Sequence, residues 1–398
     1  MPIRIAGAGC CLMDILYPKV DFTSAAFSAV RSRREGDGGL TPGRLVFAED
    51  AERFTLRPFE ETLSALAGPV PEAGLWPAAK NIGGPSVVAL IHAAQMLEGE
   101  GIPVAFHGVT GGDDSGKELR EKLSRTPLDA SSLEVRPGRT PSTFVLSDPT
   151  WDGGRGERCF VNVIGAAAGF LPAELGDGFF DADIVALGGT GLVPGIHDGL
   201  PGILGRARSR GALTVVNTVF DFRAERRDGV GAWPLGGLGT GSGPAESYHS
   251  CDLLIMDKDE ALRLAGERDL GSALDFFQNS GVGAFAVTRG GESVIAWSGK
   301  GRFAPMGLCE LPVNARAPVG DTTGCGDAFA GGAIAALALR LSAGQATLDL
   351  ADALSWGIAA GAFTLSFLGG TFYESRPGEK RELVSAYRDD WLKQAHGR

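Results

Sequence analysis

The sequence predicts an α/β chain in which a mostly parallel sheet is covered by helices on both faces. Three observations carry this. From residue 183 onward, short apolar runs ("DIVALGG", "ALTVVNTV", "CDLLIM", "GAFAVTR") alternate with helical spacing near 201–210, 257–266 and 270–279. Nearly continuous apolar runs suit strands buried on both faces, and the helices between them provide crossovers. The chain also opens on such a run, "IRIAGAG" at 3–9.

The elements follow in order. "AERFTLRPFEETLSALAG" carries helical spacing from about 58 to 67, and "GPVPEAGLWP" breaks it. In "NIGGPSVVALIHAAQML" a glycine pair leads into a helix with Pro85 in its first turn, where the missing N–H costs nothing. "IPVAFHGV" (102–109) reads as a strand, and "TGGDDSGKELREKL" as a turn and a helix capped by Asp or Ser. "PSTFVLSD" and "GERCFVNVI" alternate apolar and polar residues across a Gly-bearing loop, which predicts a hairpin. "DGVGAWPLGGLGTGSGPAES" (228–247) reads as a long loop. A further β ribbon is expected near 293–305, then helices near 325–340, 347–367 and 378–395.

The 398 residues carry a net charge of −11. Such a balance offers nucleic acid no electrostatic footprint. The 60 glycines are about twice the usual ~7% share, which implies many tight turns and close backbone approaches. The six cysteines form no C-x-x-C pair, and the N-terminus has no apolar h-region. "AFAGGAIAALALRL" is shorter than a membrane span needs and reads as a buried helix. A cytoplasmic chain with reduced thiols, no membrane and no nucleic-acid partner is expected.

The stretch "GDTTGCGDAFAGG" (320–332) carries the strongest chemical signal. Gly324, Cys325 and Gly326 fall at the start of a helix, where unpaired N–H groups and the helix dipole attract an anion. A carboxylate in that first turn, Asp327, would repel a phosphate and so needs a purpose. It either favours the helix N-terminus or takes a proton as a general base. There is no G-x-x-x-x-G-K-S/T cradle. "GAG" at 7–9 lacks its third glycine, since Leu12 stands there, so no dinucleotide fingerprint is present. Asn217, Asp221 and Arg223 end a predicted strand, where ligands of parallel sheets bind. They suit a nucleotide-side role or the ordering of a loop. Arg158 is either solvated or within reach of a substrate phosphate. The five histidines show no ligand spacing and read as structural or solvated.

"DTTGCGDAFAGG" resembles the signature D-T-x-G-A-G-D of the ribokinase/PfkB family of carbohydrate and nucleoside kinases, with Cys325 in place of alanine. "GGPSVVALIHAAQML", "FHGVTGGDDSGKEL", "VTRGGES" and "GAGCCLMDIL" resemble further family segments in the same order over about 5–370. The segment before Gly83 and "GERCFVNVIGAAAGF" look most like its adenosine-kinase-like branch. The resemblance implies a ribokinase-like three-layer α/β/α sandwich, one domain over 1–398, with a small β lid from segments near 12–50 and 138–165. It implies ATP and Mg2+, a sugar or nucleoside substrate phosphorylated on a primary hydroxyl, and a homodimer through the lid.

By position, the resemblance makes Asp327 the base and Gly324, Cys325 and Gly326 the anion hole. Asp14 would bind substrate hydroxyls beside Gly83 and Gly84, while Thr288 and Gly290 would line the nucleotide pocket with Asn217. Glu260 would organise magnesium through water, with Asp257 replacing the usual asparagine of N-x-x-E; Asp257 otherwise caps a helix. Asp321 and Thr323 belong to the loop that holds a monovalent cation, K+, in many relatives. Val88 stands where a sugar-binding asparagine is usual, and Gly320 where an apolar residue is common. Val88 and Asp257 motivate a second hypothesis, a ligand-binding or regulatory protein of this fold with weak catalysis.

Overall fold

The computed structural model describes residues 3–34, 36–67, 79–154, 156–225, 231–237, 244–299, 301–315, 317–318 and 320–396. The breaker segment at 68–77 and positions 228–230 and 238–243 of the loop expected over 228–247 lie outside the described residues.

Fourteen strands form two sheets among the described residues. They are β1 Ile5–Gly9, β2 Leu12–Tyr17, β3 Leu45–Phe47, β4 Ala79–Gly83, β5 Val104–Gly111, β6 Asp129–Arg136 and β7 Ser142–Asp148. The rest are β8 Glu157–Val163, β9 Ile184–Gly188, β10 Leu213–Asn217, β11 Leu253–Asp257, β12 Ala284–Thr288, β13 Ser293–Ser298 and β14 Met306–Pro312. The large sheet runs β14-β13-β12-β11-β10-β9-β1-β5-β6. It is parallel from β6 to β12, and β13 and β14 add an antiparallel edge.

Its strands are apolar on both faces because both are covered. In β11, Leu253 and Ile255 join a core with the helices Pro85–Met96, Cys325–Ser342 and Leu350–Thr364. The intervening Leu254 and Met256 join a second core with Leu200–Ser209, Lys258–Ala265 and Leu270–Asn279. Successive strand side chains point to opposite faces, so one run feeds two layers.

The second sheet runs β3-β8-β7-β2-β4. One face, with Met13 and Ile15 of β2, packs on Phe27, Phe59 and Leu63 of the helices Ala25–Val30 and Phe59–Ala67. Asp14 belongs to the other face. The sheet draws on both sequence segments near 12–50 and 138–165 but also takes in β4, whose mixed polarity hides it in the sequence. Two further differences are geometric. The second strand of the ribbon expected over 293–305 lies at Met306–Pro312, after a bulge. The edge strand β6 has no apolar run, because much of it is exposed.

The helix Cys325–Ser342 is long and apolar enough, by length and composition, to cross a membrane, but most of it is buried in the core. Close approach explains its small residues. A Cβ on Gly331 would collide with the Ala89 carbonyl, and one on Gly332 would meet the Trp356 carbonyl at 2.7 Å. The helix is thereby wedged between Pro85–Met96 and Leu350–Thr364, and its N-terminus is held at the edge of the large sheet. Replacing a helical Gly by Ala raises helix propensity by about 1 kcal/mol. At Gly331 the collision with rigid backbone costs about 1–3 kcal/mol. Gly331→Ala is therefore expected to lower the stability read by denaturant titration, whereas a propensity effect alone would raise it.

Candidate active site

The last residues of three neighbouring parallel strands, Asn217 of β10, Asp257 of β11 and Thr288 of β12, share the carboxyl edge of the large sheet. Ligands of open parallel sheets bind beyond that edge. The Cys325–Ser342 helix starts there, and the small sheet stands over it.

The loop before that helix is tied down by its own side chains. Asp321 Oδ1 accepts from the Thr323 N–H at 3.1 Å and hydroxyl at 2.8 Å, and Oδ2 accepts from the Gly369 N–H at 3.0 Å. Burial works to raise the Asp321 carboxyl, but these donors and Arg158 hold it below the ordinary carboxylate range. Gly320 lies so close to the Leu365 carbonyl that no Cβ fits, which explains glycine at that position. Gly324 has φ +79°, and a Cβ there would collide with Gly370 Cα. Only glycine meets both demands.

Cys325 is the first helical residue, and its N–H donates to the Thr322 carbonyl at 3.2 Å. That differs from the expectation that all three residues offer N–H groups to an anion: the Cys325 donor is engaged in the turn. The Gly326 N–H has no partner among the described residues, and a Cβ there would meet none of them within 4 Å. The Cys325 thiol is pushed up to about 11 by burial, then by Asp321 and Asp327, so it is neutral and unreactive.

Asp327 lies in the first turn of the helix. Enclosure by protein pushes its carboxyl up to about 6, against a hydrogen bond from Asn217 that favours the charged form. Asp14 is pushed up to about 7, first by burial and then by the charge of Asp327, while a hydrogen bond from Thr143 opposes this. Glu260 also rises to about 7, through burial and then Asp257. Asp327 contributes to both shifts, which places it between the small sheet and the β11 edge.

Asp257 caps the helix Lys258–Ala265: its Oδ1 accepts from the Glu260 N–H at 2.8 Å, and Glu260 Oε2 accepts from the Asp257 N–H at 3.0 Å. The Thr218 hydroxyl also donates to Glu260 Oε2, at 2.6 Å. Of the two readings of Asp257, the cap is therefore present. Among the described residues no three His, Cys, Asp or Glu side chains group as a metal site. The Asp257–Glu260 pair suits a metal held through water rather than a direct cage.

A Cβ on Gly83 would collide with the Asp14 carboxylate, and one on Gly84 (φ +103°) would meet the Cys10 carbonyl at 2.6 Å. The glycine pair thus brings β4 onto the Asp14 strand. The Thr288 hydroxyl lies 3.5 Å from the Met256 carbonyl. Gly290 has φ +58°, and a Cβ there would meet no described residue within 4 Å beyond its own chain neighbours. Val88 is buried in the core and lies against Gly370.

Asp221 and Arg223 turn away from the cleft. Arg223 pairs with Asp198 at 2.9 Å and Asp221 lies 3.3 Å from His197, so both order a loop. Arg158, which the sequence leaves open between solvent and a phosphate, lies over the anion loop. Its Nη1 donates to Thr323 Oγ1 at 3.3 Å and Nη2 is 3.8 Å from Asp321. The strand's alternation carried the signal: Cys159, Val161 and Val163 are buried in the core, which sends Arg158, Phe160 and Asn162 to the other face.

Residues 82–375 match the pfkB family carbohydrate kinase domain, and the chain belongs to that family. A search of curated proteins finds no match. Among solved structures it is similar to the adenosine kinase from Sinorhizobium meliloti, at TM-score 0.67 and 18% identity over 98% of this chain and 99% of that one. The adenosine kinase from Schistosoma mansoni in complex with 2-fluoroadenosine aligns at TM-score 0.67 and 17% identity, over 93% and 97% of the two chains. Arabidopsis thaliana ribokinase complexed with ribose and ATP aligns at 0.63 and 17%, over 98% and 99%. The fold is ribokinase-like.

Asp14 and Asp327 hold protons in the folded chain at pH values where unfolded carboxyls, near 3.8, have lost them. Their contribution to stability is full below about pH 4 and is lost as pH rises through about 6–7. Asp327→Asn and Asp14→Asn are each expected to flatten the fall of the thermal midpoint between pH 5 and 8; an unchanged slope would contradict the raised values.

Proposed function

We propose that this chain is an ATP-dependent phosphotransferase that phosphorylates a primary hydroxyl of a sugar or nucleoside, with Asp327 as the general base. The carrying observation is the placement of Asp327. It sits in the first turn of a helix whose Gly326 N–H is unpartnered among the described residues, beside Asn217 and between Asp14 and Glu260. A carboxyl near 6 is ionised at neutral pH yet basic enough to accept a proton.

In this reading the substrate hydroxyl is held by Asp14 and the backbone at Gly83 and Gly84. Asp327 takes its proton as the hydroxyl oxygen bonds to the γ-phosphorus. The bond from that phosphorus to the bridging oxygen breaks, and its electron pair leaves with ADP. Charge on the transferring phosphoryl group is met by the helix N-terminus at Gly324–Gly326, with the Gly326 N–H as principal donor, and by Arg158. Asp257 and Glu260 would hold Mg2+ through water, and the ion would neutralise phosphate charge. Thr288 and Gly290 would face the nucleotide, whereas Asn217 serves Asp327 through its hydrogen bond. Asp321 and Thr323 would order the loop, and the loop would help to hold K+. The small sheet would act as a lid that excludes water.

A coupled ADP-release screen over sugars, nucleosides and sugar phosphates tests the reading. Ligand binding without ADP release would favour the regulatory alternative. With the substrate found, Asp327→Ala is expected to lower kcat by roughly 10²–10⁴-fold with little change in substrate KM. Full activity would remove Asp327 from the chemistry. kcat/KM of the wild type is expected to rise with pH through a value near 6, as Asp327 loses its proton. Cys325→Ala is expected to keep activity within about twofold, because a neutral thiol in a small-residue position has no step to perform.

A further inference from the structure

Strand register places Asn81, Asp14, Thr143, Asn162 and Phe47 in one row across the small sheet. Residues in register on neighbouring strands share a face. The opposite face is the one filled by Met13, Ile15 and Val161 against the core, so this row faces the cleft, as the influence of Asp327 on Asp14 requires. The next row outward, Ala79, Leu16, Val145, Phe160 and Leu45, is apolar.

The polar row is not satisfied internally. Thr143 stands beside Asp14 in register and favours its charged form. Asn162 is only 3% exposed, and its Oδ1 has no partner among the described residues; the same holds for Asn81 Nδ2. A buried amide without a partner is costly, and an apolar side chain of that size would serve packing better. Asn81 beside Asp14 and Asn162 two strands away in the same row each hold one buried amide atom without a partner among the described residues, which points to a ligand rather than to the core. Asn81 lies against Gly369, on the side of the anion loop. Asn162 lies on the other side of Asp14, with Phe47 next to it, and the ring of Phe222 packs on Phe47.

Spacing decides what Asn162 could touch. Neighbouring strands lie about 4.8 Å apart, so Asn162 is about 10 Å across the sheet from Asp14. One sugar ring held by Asp14 does not cover that distance. We propose that Asn162 is a specificity-determining residue, and that the substrate is longer than a single ring: a sugar carrying a second, planar group whose hydrogen-bonding edge meets the Asn162 amide beside Phe47. Asparagine can bond such a heterocyclic edge through both its donor and its acceptor. This deepens the kinase reading, on which it rests only for the activity measurement.

The test uses Asn162→Leu, nearly isosteric and apolar, with ribose as the ring alone and adenosine as the ring with a heterocycle. Binding is read by thermal shift and calorimetry without ATP, and turnover by ADP release. The wild type is expected to bind adenosine well above ribose. In Asn162→Leu the adenosine constant is expected to weaken about tenfold or more, with ribose unchanged. The thermal midpoint of the free variant should be equal or higher, because the Asn162 Oδ1 it lacks has no partner among the described residues. A lower midpoint, equal weakening for both probes, no weakening for either, or a wild type that binds ribose as well as adenosine or binds neither would each overturn the proposal. Binding that follows the expected pattern without any ADP release would overturn the kinase reading and leave this one standing.

Discussion

The candidate site depends on the close approach of two glycine-bearing turns, Gly320–Gly324 and Gly369–Gly370. Neither Gly320 nor Gly324 has room for a Cβ, and Asp321 ties the pair together through the Gly369 N–H. The second turn is anchored from behind. His92 Nε2 bonds the Gly370 carbonyl at 2.8 Å, and the buried Lys380 bonds His92 and Gln95, the latter at 2.9 Å. Burial, joined by the charge of Lys380, holds His92 well below its ordinary range, so the ring is neutral. Accepting from Lys380 at Nδ1 leaves the Nε2 proton for Gly370. The C-terminal helix Glu379–His396 thus reaches the anion loop through one imidazole and one peptide unit.

That rigidity matters because the chemistry is mostly positioning. Phosphoryl transfer needs a hydroxyl, a base and charge stabilisation in line, with little covalent work for the protein. Asp14, Asp321 and Asp327 crowd one cleft, and the protein separates their behaviour by environment. Asp321 is held charged by backbone and side-chain donors, while Asp327 rises through burial and Asp14 through burial and the charge of Asp327. Arg158 brings positive charge from the other sheet, across the cleft, so the charge balance over the anion loop depends on how the two sheets meet.

The two sheets divide the work in the proposed reaction. The large sheet and its wedged helix carry the base, the helix N-terminus and the strand ends. The small sheet carries Asp14, Arg158 and the asparagine row. Its core face is as apolar as any buried sheet, and its cleft face is the departure. Asn81 Nδ2 and Asn162 Oδ1 there lack partners among the described residues, which the packing of a lid alone does not require.

The sequence by itself determined the layered α/β architecture, because strands buried on both faces must be continuously apolar and the crossovers between them must carry helical spacing. It also determined the Gly324–Asp327 helix start, a local motif whose chemistry lies within a few residues. Asp257 as a cap was equally local, three residues from Glu260. The tertiary structure decided what depends on residues far apart in the chain. Cys325 could not be known to spend its N–H on Thr322, nor Arg158 to reach Thr323, 165 positions away. The strand Ala79–Gly83 joined the small sheet through pairing with β2, not through any apolar run of its own. The row of Asn81, Asp14, Thr143 and Asn162 exists only in the register of four strands, because hydrogen-bonded pairing, not sequence distance, sets which side chains share a face.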